Sequence, residues 1–232
     1  MHPTLAACVL RALDCVRTCV RTCVHHRARS ALLAAGGALV LAGCAAGGGG
    51  NAQAGNTLYD FGSSDNPVTA TGAAQTVPVI VVTDVTGNAV FDNERMFYRL
   101  NYADPLQARA YANSRWSSTP LQMLTQRFKS RLAQAGVKVL SATDASAGVP
   151  LLRVDLDDFT HIFDSATSSY GQLVLRASLF QGHSLIDQRT FRRRIDAGSV
   201  DAGGGARALA QATDAVAADI IGWLATQNLR QR

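Results

Sequence analysis

Residues 119–140, TPLQMLTQRFKSRLAQAGVKVL, and residues 151–159, LLRVDLDDF, decide the fold class, because the spacing of their apolar side chains changes from one stretch to the next. Leu121, Leu124, Phe128 and Leu132 recur at intervals of 3, 4 and 4, the period of one helix face. Thr119 is placed to cap the first turn, Pro120 fits the first helical position, where no N–H is needed, and Gly136 can close the end. Arg127, Lys129 and Arg131 fall off the apolar stripe and read as a solvated helix surface. Val137–Leu140 then forms a short strand. In 151–159, Leu152, Val154 and Leu156 point one way while Arg153, Asp155 and Asp157 point the other, the period of a half-buried strand.

Working outward, Thr57–Gly62 is strand-like and is followed by a polar loop to about Gln75. Val77–Val85 is β-branched and nearly continuous, which suits a buried central strand with Pro78 at its beginning. Arg95–Tyr102 alternates and Ala108–Asn113 is extended, so the two read as consecutive antiparallel strands. On the other side, Gln172–Phe180 and Leu185–Ile195 are strands joined by a turn through Gly182-His183. Asp201-Ala202-Gly203-Gly204-Gly205 leads into an Ala-rich helix to about Leu229, with Leu209, Val216, Ile220, Trp223 and Leu224 as its stripe. Strands, helix, strands, helix predict an α+β fold: a mainly antiparallel sheet with two principal helices packed on one face, in a single domain.

Charge and cysteine content divide the chain at Cys44. Of 22 Lys and Arg, five precede Cys44, and of 17 Asp and Glu only Asp14 does, so the leader carries 5 − 1 = +4 and residues 44–232 carry 17 − 16 = +1. A nearly neutral body disfavours nucleic-acid binding. Four of the five cysteines (Cys8, Cys15, Cys19, Cys23) lie in the leader, so a disulfide scaffold is excluded.

Residues 25–44, HHRARSALLAAGGALVLAGC, combine a basic end, an uncharged run from Ser30 to Gly43 and small residues before Cys44. This is the plan of a secretory signal peptide, and the run is shorter than the roughly 20 residues that a spanning helix needs. Leu41-Ala42-Gly43-Cys44 resembles a bacterial lipobox, which implies cleavage between Gly43 and Cys44 and acylation (palmitate) of Cys44. Residue 45 is Ala, and lipoproteins without an aspartate there go to the outer membrane, so the expected location is its periplasmic face. Residues 44–56 read as the lipidated cysteine with a Gly-rich tether, residues 1–43 as the leader, and residues 57–232 as the folded domain. The repeat CVRT within residues 1–24 fits no metal site that survives processing, and a start near Val24 gives a leader of ordinary length.

Catalytic signals are thin. His161 and His183 are the histidines after Cys44, and neither has another His or Cys three or four residues away, so neither a metal site nor a cofactor is expected. Asp155, Asp157 and Asp158 read as a polar strand face, and no G-x-S-x-G or phosphate-binding loop occurs. Arg192-Arg193-Arg194 could meet phosphates, but adjacent residues on a strand face opposite sides, so an edge-strand safeguard is the simpler reading. Trp116 reads as a core anchor at the helix entry.

Taken together, Tyr59-Asp60-Phe61-Gly62, the Val79–Val85 strand, Tyr98-Arg99-Leu100-Asn101-Tyr102, Tyr111-Ala112-Asn113-Ser114-Arg115-Trp116 before the Pro120 helix, Arg153–Phe159 and a last helix with Trp223-Leu224 resemble the ABC-type transport auxiliary lipoproteins over residues 57–229. The resemblance implies a non-enzymatic periplasmic partner of an Mce-domain protein and its ABC permease and ATPase, acting in transport of lipids or other hydrophobic molecules. Of its functional residues only Cys44 carries over; a homo-oligomer is compatible with it. Arg127, Arg131, Arg192, Arg193 and Arg194 are candidates for polar contact with the partner. The rival reading is an envelope assembly or scaffold lipoprotein without a transporter.

Overall fold

The computed structural model describes residues 56–63, 79–144 and 148–227. The leader, Cys44 and its tether, the polar loop to Gln75, Pro78 and the last residues of the terminal helix expectation lie outside them. The chain runs β1 (Thr57–Tyr59), β2 (Val79–Val82), β3 (Thr86–Gly87), β4 (Arg95–Leu100), β5 (Asp104–Trp116), α1 (Pro120–Gln134), β6 (Lys138–Leu140), β7 (Leu151–Phe163), β8 (Ser169–Gln181), β9 (Ser184–Asp196), α2 (Ala202–Ala225). This is the expected α+β domain, with nine strands in one mixed sheet.

Strand β7 is the spine. Along one edge it pairs antiparallel with β8 from end to end, and β8 pairs likewise with β9. Along its other edge three strands follow in succession, all parallel to it: β2 at Leu151 and Leu152, β3 at Asp155 and Leu156, and β4 at His161 to Phe163. Outside these, β6 pairs parallel with β2, β5 pairs antiparallel with β4, and β1 pairs parallel with β5. The long ladders are antiparallel, as expected; the parallel ones span only two or three residues each.

The alternation in β7 does not run through unbroken. Leu156 faces Leu175 and Asp158 faces Val174, so Asp157 is an extra residue, a bulge. Before it the even residues Leu152, Val154 and Leu156 enter the core; after it Phe159, His161 and Phe163 occupy that face. The bulge therefore keeps one side of a 13-residue strand apolar although the sequence pattern changes phase.

Helix α1 begins as the sequence predicts: Thr119 accepts from the Gln122 N–H, Pro120 stands in the first turn, and Gly136 lies just past the end at φ 87°. Thr125 joins α1 to β3's approach, its hydroxyl accepting from the Val85 N–H at 2.8 Å and donating to the Leu121 carbonyl at 2.7 Å. Helix α2 starts earlier than a glycine loop would allow: Asp201 is its N-cap, accepting from the Gly204 N–H at 2.7 Å, and Gly203, Gly204 and Gly205 are its first turn. The glycines are there because backbone meets backbone. A Cβ on Gly171 of β8 would lie 2.7 Å from the Leu209 nitrogen, and one on Gly204 would collide with the Ser199 carbonyl, 2.8 Å from its carbon. Leu209, Ala212, Val216, Ile220 and Leu224 of α2 join Leu124, Phe128 and Leu132 of α1 and the inner face of the sheet in one core, with Trp116 buried in it. The Trp223 indole N–H donates to Asp187 of β9 at 2.7 Å, pinning the end of α2 to the edge of the sheet.

Candidate functional site

The expected solvated arginines of α1 are corrected by the structure. Arg127 and Arg131 are only 5% and 2% exposed, because α2 packs over them. Both grip one carboxylate: Asp214 of α2 accepts from Arg127 at 2.7 and 2.8 Å and from Arg131 at 2.8 and 2.6 Å. Burial pushes the Asp214 carboxyl up, but the hydrogen bonds and charges of the two guanidinium groups outweigh it and hold the pKa below the usual carboxylate range. Arg127 also donates to the Gly62 and Ser63 carbonyls. These two residues join the helices to each other and to the segment after β1; the surface that they were expected to offer is not there.

The run on β9 divides as strand geometry requires. Arg193 turns toward α2 and forms a bidentate pair with Asp219, its Nε at 2.6 Å. Arg192 and Arg194 turn to the opposite face, away from the helices. Arg194 pairs with Asp164 at 2.6 Å and lies over the Tyr170 ring, 3.4 Å from its centroid. Strand β9 pairs with β8 alone among the described residues, so it is an edge, and its charges stand where edge protection would put them. The outer face of β7–β9 thus presents Arg192, Arg194, Arg176, Gln172, Gln188 and Asp158, an open polar surface over the buried Ile162 and Val174. Asp158 accepts from Thr160 and Gln172 at 2.6 Å each, and Asp155 accepts from Thr86, so the acidic run is a hydrogen-bonded strand face as expected.

A second group was not anticipated. His161, fully buried, shares a 2.8 Å hydrogen bond through Nδ1 with the Tyr111 hydroxyl, and Tyr98 and Phe163 close around it, the Tyr98–Tyr111 and His161–Phe163 centroids 4.6 and 4.4 Å apart. Burial lowers the His161 pKa to about 4 against the opposing pull of Asp201, so the ring is neutral at pH 7. Burial raises Tyr111, and Tyr98, Asp201 and Tyr59 add to it. His161 Nε2 and Ser169 Oγ are buried without a hydrogen-bond partner among the described residues. Shifted groups of this kind mark active sites when they line a cleft. Here Gly205 lies on the imidazole and no substrate could reach it, so the pair is a neutral core histidine with its tyrosine.

Open space lies elsewhere, beside the first turns of α1. A cleft of about 830 Å³ runs between Phe61 and Gly62 after β1, Val85, and Leu121, Gln122 and Met123 of α1. Its floor is apolar, its rim carries Asp60, Asp84 and Asp92, and Arg127 lies at its back. Its size suits a small molecule or an inserted peptide side chain. Its described lining holds the carboxylates of Asp60, Asp84 and Asp92, the amides of Gln122 and Gln126 and the hydroxyls of Ser117, Ser118, Thr125 and Ser130; among the described residues no group of three or more His, Cys, Asp or Glu could hold a metal ion. No helix among them is long and apolar enough to cross a membrane.

Two solved structures share this fold. The crystal structure of protein XCC0632 from Xanthomonas campestris, of family DUF330, superposes with a TM-score of 0.63 at 19% identity, over 72% of this chain and 93% of that one. An uncharacterized protein superposes with a TM-score of 0.58 at 16% identity, over 73% of this chain and 98% of the other. No curated protein matches the chain. The model of one family, described as the ABC-type transport auxiliary lipoprotein component, matches residues 59–221, from the last residue of β1 nearly to the end of α2. The chain belongs to the ABC-type transport auxiliary lipoprotein component family.

Proposed function

We propose that the protein is a non-enzymatic auxiliary component of an Mce-type ABC transport system for lipids or other hydrophobic molecules, held at the periplasmic face of the outer membrane by acyl chains on Cys44. The observation that carries this reading is the family match over residues 59–221 in a chain whose preceding segment ends in Leu41-Ala42-Gly43-Cys44. Two or more acyl chains anchor a protein stably where one does not, so a fully processed Cys44 would suffice without any spanning helix. The family is an auxiliary lipoprotein component, which is the ground for reading a non-enzymatic role, and the strongly shifted pair Tyr111–His161 is enclosed in the core.

Co-purification tests the partner. The protein is expected to bring down an Mce-domain protein together with an ABC permease and ATPase, and a purified pair that fails to associate would remove the transport reading in favour of an envelope scaffold lipoprotein. Cys44→Ser tests the anchor: the variant should move from the outer-membrane fraction to the soluble periplasm, and retention in the membrane fraction would refute attachment at that residue.

A further inference from the structure

We propose that the tip of the β4–β5 hairpin, which presents Tyr102 and Leu106, rests in the headgroup layer of the bilayer that holds the Cys44 anchor; the inference rests on the reading of Cys44 as lipidated. Leu106 is 89% and Tyr102 53% exposed, the first the most exposed large apolar side chain of the described residues. Leu106 is not exposed through slackness. Its N–H donates to the Asp104 carboxylate at 2.9 Å, and Arg99 donates to its carbonyl and to that of Pro105 at 3.3 Å each. The backbone is tied down on both sides while the side chain is held out in solvent, which wastes apolar area unless something covers it.

Chain direction identifies the occupant. Strand β1 runs parallel to β5, with Thr57 beside Ser114 and Tyr59 beside Trp116, so the residues before Thr57 leave β1 on the side of the hairpin tip. Leu106 lies between Asp104 and Arg115, whose partners Leu100 and Arg95 are five steps apart on β4, so it stands within about 17 Å of Ser114 along the sheet. Thirteen residue steps separate Cys44 from Thr57, a reach of up to about 45 Å. That length of chain is enough for Cys44 and Leu106 to lie in one bilayer plane, since β1 begins on the side of the hairpin tip.

Charge fits a phospholipid surface as well. Arg99 and Arg109 stand behind the tip, and the one nearby acid on the hairpin, Asp104, is already used on the Leu106 N–H. A tyrosine and a leucine backed by arginines are the composition of a shallow interfacial contact with anionic lipid. The β8–β9 hairpin also exposes Leu185 and Ile186, but it lies at the other end of the 13-residue β7, about 40 Å away and opposite to the end from which β1 starts.

The test uses the full-length protein, processed and purified from membranes, reconstituted in phosphatidylethanolamine–phosphatidylglycerol vesicles containing a doxyl-labelled phospholipid. Trp116 and Trp223 are buried and give a constant background. An added indole in Leu106→Trp should be quenched at least two-fold more than one in Leu185→Trp. Equal quenching, or stronger quenching at Leu185→Trp, overturns the proposal. Flotation of the same samples reads the anchor separately: wild-type protein that does not float with the vesicles removes the Cys44 reading and with it the proposal, whereas protein that floats but is quenched equally at both positions keeps the anchor and overturns the tip contact alone.

Discussion

Gly205 lies on the ring of His161, so close that a Cβ on the glycine would stand 2.6 Å from the imidazole Cγ. The first turn of α2 can reach the sheet only because that position lacks a side chain, and the imidazole is sealed from water by the same contact. The partnership explains two features at once: a glycine at position 205 inside a helix, and a histidine that stays neutral.

Gly205→Ala should therefore destabilise the domain by at least about 2 kcal/mol, the scale of overpacking a filled core, because neither ring nor helix backbone has room to yield. Gly222→Ala, in the same helix with nothing within 4 Å of its would-be Cβ, should stabilise by up to about 1 kcal/mol through helix propensity. Urea unfolding of the two variants checks the contrast; equal effects would mean that the close approach does not constrain α2.

His161 makes stability depend on pH. Its folded pKa, about 4, lies below its value of 6.5 in the unfolded chain, so between these values the unfolded state binds the extra proton. The stabilisation of the neutral ring is complete above pH 6.5 and falls away as pH drops to 4, by about 3 kcal/mol if the whole shift is realised. His161→Gln should flatten the stability profile in that window, whatever its effect at pH 8. A slope equal to that of wild type would show that the imidazole is not the titrating group.

The Asp214 carboxylate serves two buried arginines, so its removal takes the shared acceptor from both guanidinium groups, while removal of either arginine leaves the other still paired with it. Asp214→Ala should cost about 3–5 kcal/mol and more than Arg127→Met or Arg131→Met. Replacing all three by apolar residues should recover much of the loss, which a chemical-denaturation cycle would reveal. Because the Asp214 pKa is depressed, its share of stability is present above the unfolded carboxylate range near pH 4 and is lost as pH falls through the lower folded value, a window separate from that of His161.

Strand alternation also separates the arginines of β9. Arg192→Glu, on the outer face with no ion-pair partner among the described residues, should leave the unfolding midpoint within about 0.5 kcal/mol of wild type and weaken any docking on an acidic partner. Arg193→Ala should cost under about 1 kcal/mol of stability by loosening Asp219, with no effect on docking. Pull-down and denaturation of the two variants would expose a reversal of these roles.

The sequence by itself determined the α+β class, the capped helix from Pro120, the strands over 151–159, 172–180 and 185–195 with the turn at Gly182-His183, and Trp116 as a core residue, because each rests on local periodicity, capping or turn chemistry, and its motifs carried the family resemblance. Local pattern carries no information about which elements meet. That Arg127 and Arg131 lie buried on one carboxylate, 87 and 83 residues away respectively, follows from α2 packing over α1, and periodicity alone could only place them off the apolar stripe. Strand β5 runs to 13 residues where alternation marks fewer, since pairing with β4 and β1 extends a segment whose own pattern is weak. The phase change at Asp157 needed the β8 register, and Gly205 of α2 needed the His161 ring beneath it, for a residue chosen by its lack of a side chain shows its reason only in what lies against it.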